Sequence, residues 1–245
     1  MTQLRFYIFR LLLLLLAITS FSKIALANYA IFAEEDEVEQ FEIYDPFEKV
    51  NREIYKFNIW FDKYSLLRIA EFYKDASTPE FRKGTRNFIK NIELPFTIFY
   101  SLLQGKLKNA GKATATLILN TSFGVLGFHD VARDNFNIKI NQEDLGQTLA
   151  VYGFPSGPYL MLPFFGPFTV RSLANTASEV AYPPVWHFVF EDADQYRVGL
   201  AALDIINIRE RLLAITKDVE QNALDPYSVY RTLYVERREN LARNE

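Results

Sequence analysis

Two histidines are the whole imidazole inventory of this 245-residue chain, and cysteine is absent. His129 and His187 have no second histidine three or four residues away, the spacing that sets two imidazole ligands on one helix face. His129 is followed by Asp130, which gives two readings: a carboxylate orienting an imidazole for base catalysis, or an Asp capping the next segment. Ser156 lies in GFPSG, behind a proline, and lacks the G-x-S-x-G pattern that lifts a nucleophile out of a strand-to-helix turn. No phosphate-binding loop or dinucleotide glycine fingerprint occurs. The side chains therefore call for no enzyme, no metal and no cofactor.

The most unusual stretch is instead GQTLAVYGFPSGPYLMLPFFGPFTVR, residues 146–171, which holds four glycines and four prolines among apolar and aromatic side chains. Proline fixes φ and lacks a donor, so this can be neither a long helix nor a central strand. Irregular backbone is normally polar and wet, because its amides need partners. An oily irregular stretch suits a loop lining a passage in an apolar setting, or a loop buried in a core.

The remaining elements read as helices. Asp45-Pro46-Phe47-Glu48 has the order of a capping box with proline in the first turn. Phe47, Val50, Ile54, Phe57 and Phe61 then follow at helical spacing. Pro79 opens a second helix, and Pro95 opens or kinks a third that ends at Gly105. Lys106, Lys108 and Lys112 lead into a small-residue helix ending at Gly124 and Gly127. These lysines oppose the helix dipole and read either as contacts for anionic headgroups or as a solvated turn. Leu173–Val180 predicts a short helix broken by Pro183-Pro184. Arg197–Val219 predicts a long one with Val198, Ala202, Ile205, Ile208, Leu212, Ile215 and Val219 on one side. Asp225-Pro226 starts a last helix. Strand alternation is almost missing, so the fold class is all-α and an outer-membrane barrel is excluded.

Composition is ordinary at 49% apolar and 23% charged, apart from 22 Phe and 14 Tyr. Aromatic side chains suit interfaces with one apolar and one wet side. Arg5 and Arg10, the apolar run Leu11–Ile18 and Ala25-Leu26-Ala27 predict a secretory signal peptide over 1–27, cleaved between Ala27 and Asn28. The acidic residues 28–44 read as a flexible linker and 45–245 as one helical domain. Loss of Arg5, Arg10 and Lys23 leaves 24 basic residues against 30 acidic ones, a net charge of −6. Nucleic acid is not a partner for such a surface. No segment after residue 27 has 18 consecutive apolar residues, so none is expected to span a bilayer.

Four ordered motifs, DPFEKVNREIYKFN at 45–58, LNTSFGVLGFHDVA at 119–132, LGQTLAVYGFPSGPYLMLPFFGPFTVR at 145–171 and DPYSVYR at 225–231, resemble the MlaA (VacJ) family of Gram-negative outer-membrane proteins. The resemblance implies a ring-like bundle of amphipathic helices lying in the outer membrane, with Gly/Pro-rich loops lining a central channel. It implies removal of stray phospholipid from the outer leaflet, association with a porin trimer, and delivery to a soluble periplasmic carrier. Asn120, Phe123, Gly124, Gly127, Phe128, Asp130, Gly153, Gly157, Pro158, Tyr159, Leu162, Pro163, Phe164, Phe165, Gly166 and Arg171 are then the candidate channel residues. Among these the aromatic and aliphatic side chains would face lipid tails, and Asn120, Asp130 and Arg171 the headgroup. Asn51, Phe57 and Asn58, in the first-helix motif, would touch the channel or a movable loop. Many members carry a lipobox cysteine. Its absence here implies retention by helix burial or by a porin. The alternative is a periplasmic or surface interaction protein without transport activity.

Overall fold

In the computed structural model, which describes residues 43–181 and 193–243, the chain is helical apart from one hairpin. The described helices are α1 Glu48–Tyr64, α2 Leu66–Ala76, α3 Pro79–Leu103, α4 Leu107–Phe123, α5 Val131–Phe136, α6 Leu145–Val151, α7 Val170–Ala181, α8 Ala193–Asn222 and α9 Pro226–Arg243. Strands β1 Tyr159–Leu162 and β2 Gly166–Thr169 lie between α6 and α7. The signal peptide with its Ala27–Asn28 cleavage site, linker residues 28–42, the Pro183-Pro184 break and His187 lie outside the described residues. Packing divides the chain into two compact units. One takes the residues up to Tyr73 and Gly157–Glu239; the other takes Lys74–Ser156 and Asn240–Glu245.

The first unit is built on α1, the hairpin, α8 and α9. Asp45 does not cap α1, which starts at Glu48 behind an N-cap Phe47 that makes no side-chain bond. The Asp45 carboxylate is 2% exposed and takes hydrogen bonds from Asn51 Nδ2 at 2.8 Å and Arg231 at 3.0 Å. A carboxylate this buried needs charged or strong partners, and those partners draw it away from the helix end. The last helix does start as the sequence suggests. Asp225 Oδ1 accepts from Ser228 N–H at 3.4 Å, and the same carboxylate receives both amino groups of Arg52 at 2.9 and 2.7 Å. The Arg52 guanidinium also lies 4.4 Å over the Tyr227 ring. Its hydrogen bond holds the Asp225 carboxyl well below the usual carboxylate range.

Core is thin in this unit and rich in tyrosine. Ile208 and Leu212 of α8 pack with Tyr230, and Tyr159, Met161, Tyr227 and Tyr234 form a second cluster. The α8 stripe thus faces inward as its periodicity predicts. The α1 stripe is split: Ile54 packs against the second cluster and Phe61 is half-buried. Phe47, Val50, Phe57, Trp60 and Tyr64 are exposed, and the buried residue of α1 is Asn51.

In the second unit, Thr78 caps α3 by accepting from Phe81 N–H at 3.2 Å. The two expected helices around Pro95 are one continuous helix of 25 residues. Proline inside a helix removes one hydrogen bond and kinks or weakens it by about 3 kcal/mol, which packing along the rest of its length offsets here. Helix α3 packs against α4, and apart from Ile89 and Leu94 of α3 the residues they bury are small or polar. On α3 these include Gly84, Thr85, Asn91, Thr97 and Ser101; on α4 they are Ala110, Ala113, Thr116 and Asn120. The bulky residues Phe81, Phe99, Leu102, Leu107, Ile118 and Phe123 are exposed. At these helices most of the buried side chains are thus polar or small, and many large apolar ones are outside. Lys106 is not free for a headgroup: it pairs at 2.9 Å with the buried Glu143.

Candidate functional site: an asparagine-clamped hairpin and a strained turn

The oily stretch is more regular than its prolines suggest. Residues 145–151 form α6, opened by a true capping box in which Asp144 accepts from Gln147 N–H and Gln147 Oε1 accepts from Asp144 N–H. Tyr159, Leu160, Met161 and Leu162 then pair antiparallel with Thr169, Phe168, Pro167 and Gly166. Pro167 is tolerated because each strand of a two-stranded sheet is an edge. Both edges are occupied within the unit. On β2 the Thr169 N–H donates to Ser172 Oγ at 2.8 Å.

On β1 the partner is helix α1. Asn51 Oδ1 accepts from Met161 N–H at 2.9 Å, and its Nδ2 donates to the Tyr159 carbonyl at 3.3 Å. Two helical turns later Asn58 repeats the pattern: Oδ1 accepts from Phe164 N–H at 2.7 Å and Nδ2 donates to the Leu162 carbonyl at 2.9 Å. Residues seven apart lie on one helix face, so two primary amides act as a substitute strand along β1. The Tyr159 N–H is taken by the Tyr44 carbonyl at 2.9 Å.

Asn58 holds a strained turn. Phe164 has φ 67°, in the left-handed region that a bulky residue rarely enters. Its exposed ring meets Phe57 and Phe61 edge-on, with centroids 5.0 and 4.9 Å apart and interplanar angles of 85° and 87°. Asn51, Phe57 and Asn58 thus all contact this hairpin. Pro163 is exposed, while Leu162, Phe165 and Gly166 are half-buried. Gly157, at φ 72°, has Val170 Cβ 2.9 Å from where its own Cβ would stand, and the half-buried Pro158 leads into β1. Tyr159 points inward: its ring is 1% exposed, edge-on to Tyr227 and Tyr234, and burial pushes its phenol pKa well up. Arg171 is also buried and bonds Glu239 at 2.9 Å.

The other candidates lie in the second unit. Asn120 is buried, donating to Asp130 Oδ1 at 3.0 Å and accepting from Ala132 N–H at 2.9 Å. Asp130 caps α5 by accepting from Arg133 N–H at 3.3 Å, so the capping reading of His129-Asp130 holds. The polar atoms of Asn120, Asp130 and Arg171 are engaged inside the protein, because a buried amide, carboxylate or guanidinium must be bonded. Phe128 fills the space over Gly84, where an alanine methyl would run into its ring. Gly124 and Gly127 approach His129, Asn120 and Asn91 of their own unit. Phe123 stands exposed, and Gly153 faces open space at φ 84°. Sequence reasoning missed Asn91, which supports the turn after α4, since its position mid-helix carries no distinguishing pattern. Ser172, which takes Tyr234 OH at 2.7 Å, was missed for the same reason.

Comparison with known proteins follows the same segments. The family model described as MlaA lipoprotein matches residues 43–241. An uncharacterized protein of Rickettsia bellii is 32% identical over 199 residues, covering 81% of this chain and 76% of its own length. The intermembrane phospholipid transport system lipoprotein MlaA of Escherichia coli K12 is 32% identical over 202 residues, covering 81% and 78%. A solved structure described as the structural basis for maintenance of bacterial outer membrane lipid asymmetry matches with a TM-score of 0.69 at 30% identity, over 81% of this chain and 98% of its own. The hairpin, the first-helix asparagines and the turn after α4 all fall inside the matched span, and the chain belongs to the MlaA lipoprotein family.

Proposed function

We propose that this protein is the outer-membrane component of a phospholipid trafficking system. In this reading it takes mislocalised phospholipid from the outer leaflet through an amphipathic channel and passes it to a soluble periplasmic carrier, beside a porin trimer. The observation that carries the reading is the largely reversed polarity of α1, α3 and α4, in which Ile89 and Leu94 are the large aliphatic side chains fully buried. They bury Asn51, Asn91, Thr97, Ser101 and Asn120 and expose Phe57, Trp60, Phe99, Leu107 and Phe123. In water that arrangement forfeits hydrophobic burial; in a bilayer it is the expected one, with small and polar residues between helices. Among the described residues no helix is long and apolar enough to cross a membrane, which favours helices lying within a leaflet.

The physics of the cargo supports a conduit. A two-chain lipid with on the order of 30 methylenes would lose roughly 24 kcal/mol if its tails met water, at about 0.8 kcal/mol each. A usable path keeps tails against apolar walls while the headgroup stays wet. The exposed Phe164, set on a rigidly clamped turn, suits such a wall. No bond is made or broken, and the protein works by exchanging one apolar contact for another.

The test is photocrosslinking in cells with a benzophenone amino acid at Phe164 and, as control, at the fully buried Tyr234. Phospholipid adducts at 164 and none at 234 are expected. Absence of adducts at 164, together with release of the protein by a carbonate wash, overturns the reading in favour of an interaction protein.

A further inference from the structure

The turn after α4 presents three bulky apolar side chains outward: Phe123, Val125 and Leu126 are 73%, 69% and 60% exposed. Val125 and Leu126 both lie in the left-handed region, at φ 53° and 57°, where a β-branched residue is an outlier. Such backbone persists only where its surroundings over-determine it. Here the N–H groups of Leu126, Gly127, Phe128 and His129 donate to the carbonyls of Thr121, Asn120, Val125 and Gly124. From beneath, the buried Asn91 donates to Thr121 Oγ1 at 2.9 Å and to the Leu126 carbonyl at 3.2 Å. Asn87 donates to the Phe128 carbonyl at 3.3 Å.

Four of the five N–H groups from Val125 to His129 are thus satisfied from inside while the apolar side chains point out. A turn in water has no need of that, since solvent supplies the partners. A turn in hydrocarbon must do it. The surrounding sequence agrees: no Asp, Glu, Lys or Arg occurs from Ala113 to His129.

We infer that Gly124–Gly127 is a rigid wedge inserted among the acyl chains of a phospholipid bilayer, with Phe123, Val125 and Leu126 as its inserted residues and Asn91 as its positioning floor. The inference rests on the membrane reading above and assigns it to one element. A rigid turn inserts at a defined depth, so the wedge sets how the unit that carries it sits in the leaflet.

The cysteine-free sequence allows a direct test. Val125→Cys, Ile118→Cys and Lys139→Cys variants of the full chain each carry a single nitroxide label after reconstitution into phosphatidylethanolamine–phosphatidylglycerol vesicles. Collision rates with oxygen and with a water-soluble nickel chelate then report depth. The label at 125 is expected to favour oxygen at least as strongly as that at 118, while the label at 139 favours nickel. Oxygen preference at 118 with nickel preference at 125 overturns the wedge and leaves the membrane reading standing. Nickel preference at both overturns the two together. A second variant, Val125→Asn with Leu126→Asn, keeps residues that tolerate the left-handed region. It is expected to retain its thermal midpoint in detergent while vesicle retention through a carbonate wash falls at least tenfold. Unchanged retention overturns the wedge.

Discussion

Replacing Asn58 by alanine removes two hydrogen bonds at one stroke, to Phe164 N–H at 2.7 Å and the Leu162 carbonyl at 2.9 Å. A hydrogen bond of this kind contributes about 1 kcal/mol net, so the clamp amounts to about 2 kcal/mol. It opposes the left-handed conformation of Phe164, which costs roughly 1–2 kcal/mol. Clamp and strain are therefore nearly matched, and without Asn58 the turn opens locally. The hairpin stays docked, because the Asn51 bonds and the edge-on contacts of Phe164 with Phe57 and Phe61 remain. Residue-resolved hydrogen exchange on the purified chain reads the difference. A loss of about 2 kcal/mol corresponds to roughly thirtyfold faster exchange at Phe164 if it opens locally, while Met161, bonded to Asn51, stays protected. Asn58→Asp keeps the acceptor and loses the donor, so it should fall between. Unchanged exchange at Phe164, or an equal rise at Met161, would refute the local-clamp reasoning.

Acid stability follows from the Arg52–Asp225 pair. The folded carboxyl titrates below its unfolded value of about 3.9, so its stabilisation is present above that value and is lost as pH falls through the lower folded pKa. Asp225→Asn should flatten the dependence of the urea midpoint on pH below about 4; the effect is modest because the two side chains are 34% and 44% exposed. Glycines of the second unit split into two kinds. Gly84→Ala drives a methyl into the Phe128 ring and should cost about 1–3 kcal/mol in chemical denaturation. Gly111→Ala, in α4 with nothing within 4 Å, should stabilise by about 0.5–1 kcal/mol. Equal midpoints for these two variants would contradict the packing described for α3 and α4.

Helical periodicity, proline at helix starts and glycine at helix ends were enough to locate α4, α8 and α9 and to place Asp130 and Asp225 as caps, because these signals act within one turn of chain. The motifs also singled out the stretch that holds the hairpin, and Asn51 and Asn58, without showing that stretch and asparagines bond to each other. Three features lay beyond such local reasoning. The capping pattern at Asp45 was overridden by Arg231 and Asn51, partners brought close only by folding. Pro95 was absorbed into a long helix, since packing along 25 residues outweighs one missing hydrogen bond. Residues 159–169 paired as strands because α1 supplied amides to an edge that could not have stood alone in water. Most of all, periodicity marks an apolar stripe without saying what covers it. The α8 stripe faces protein, whereas Phe47, Val50 and Phe57 of the α1 stripe face outward, and only the packed structure distinguishes them, because burial is a property of neighbours and not of the residue that is buried.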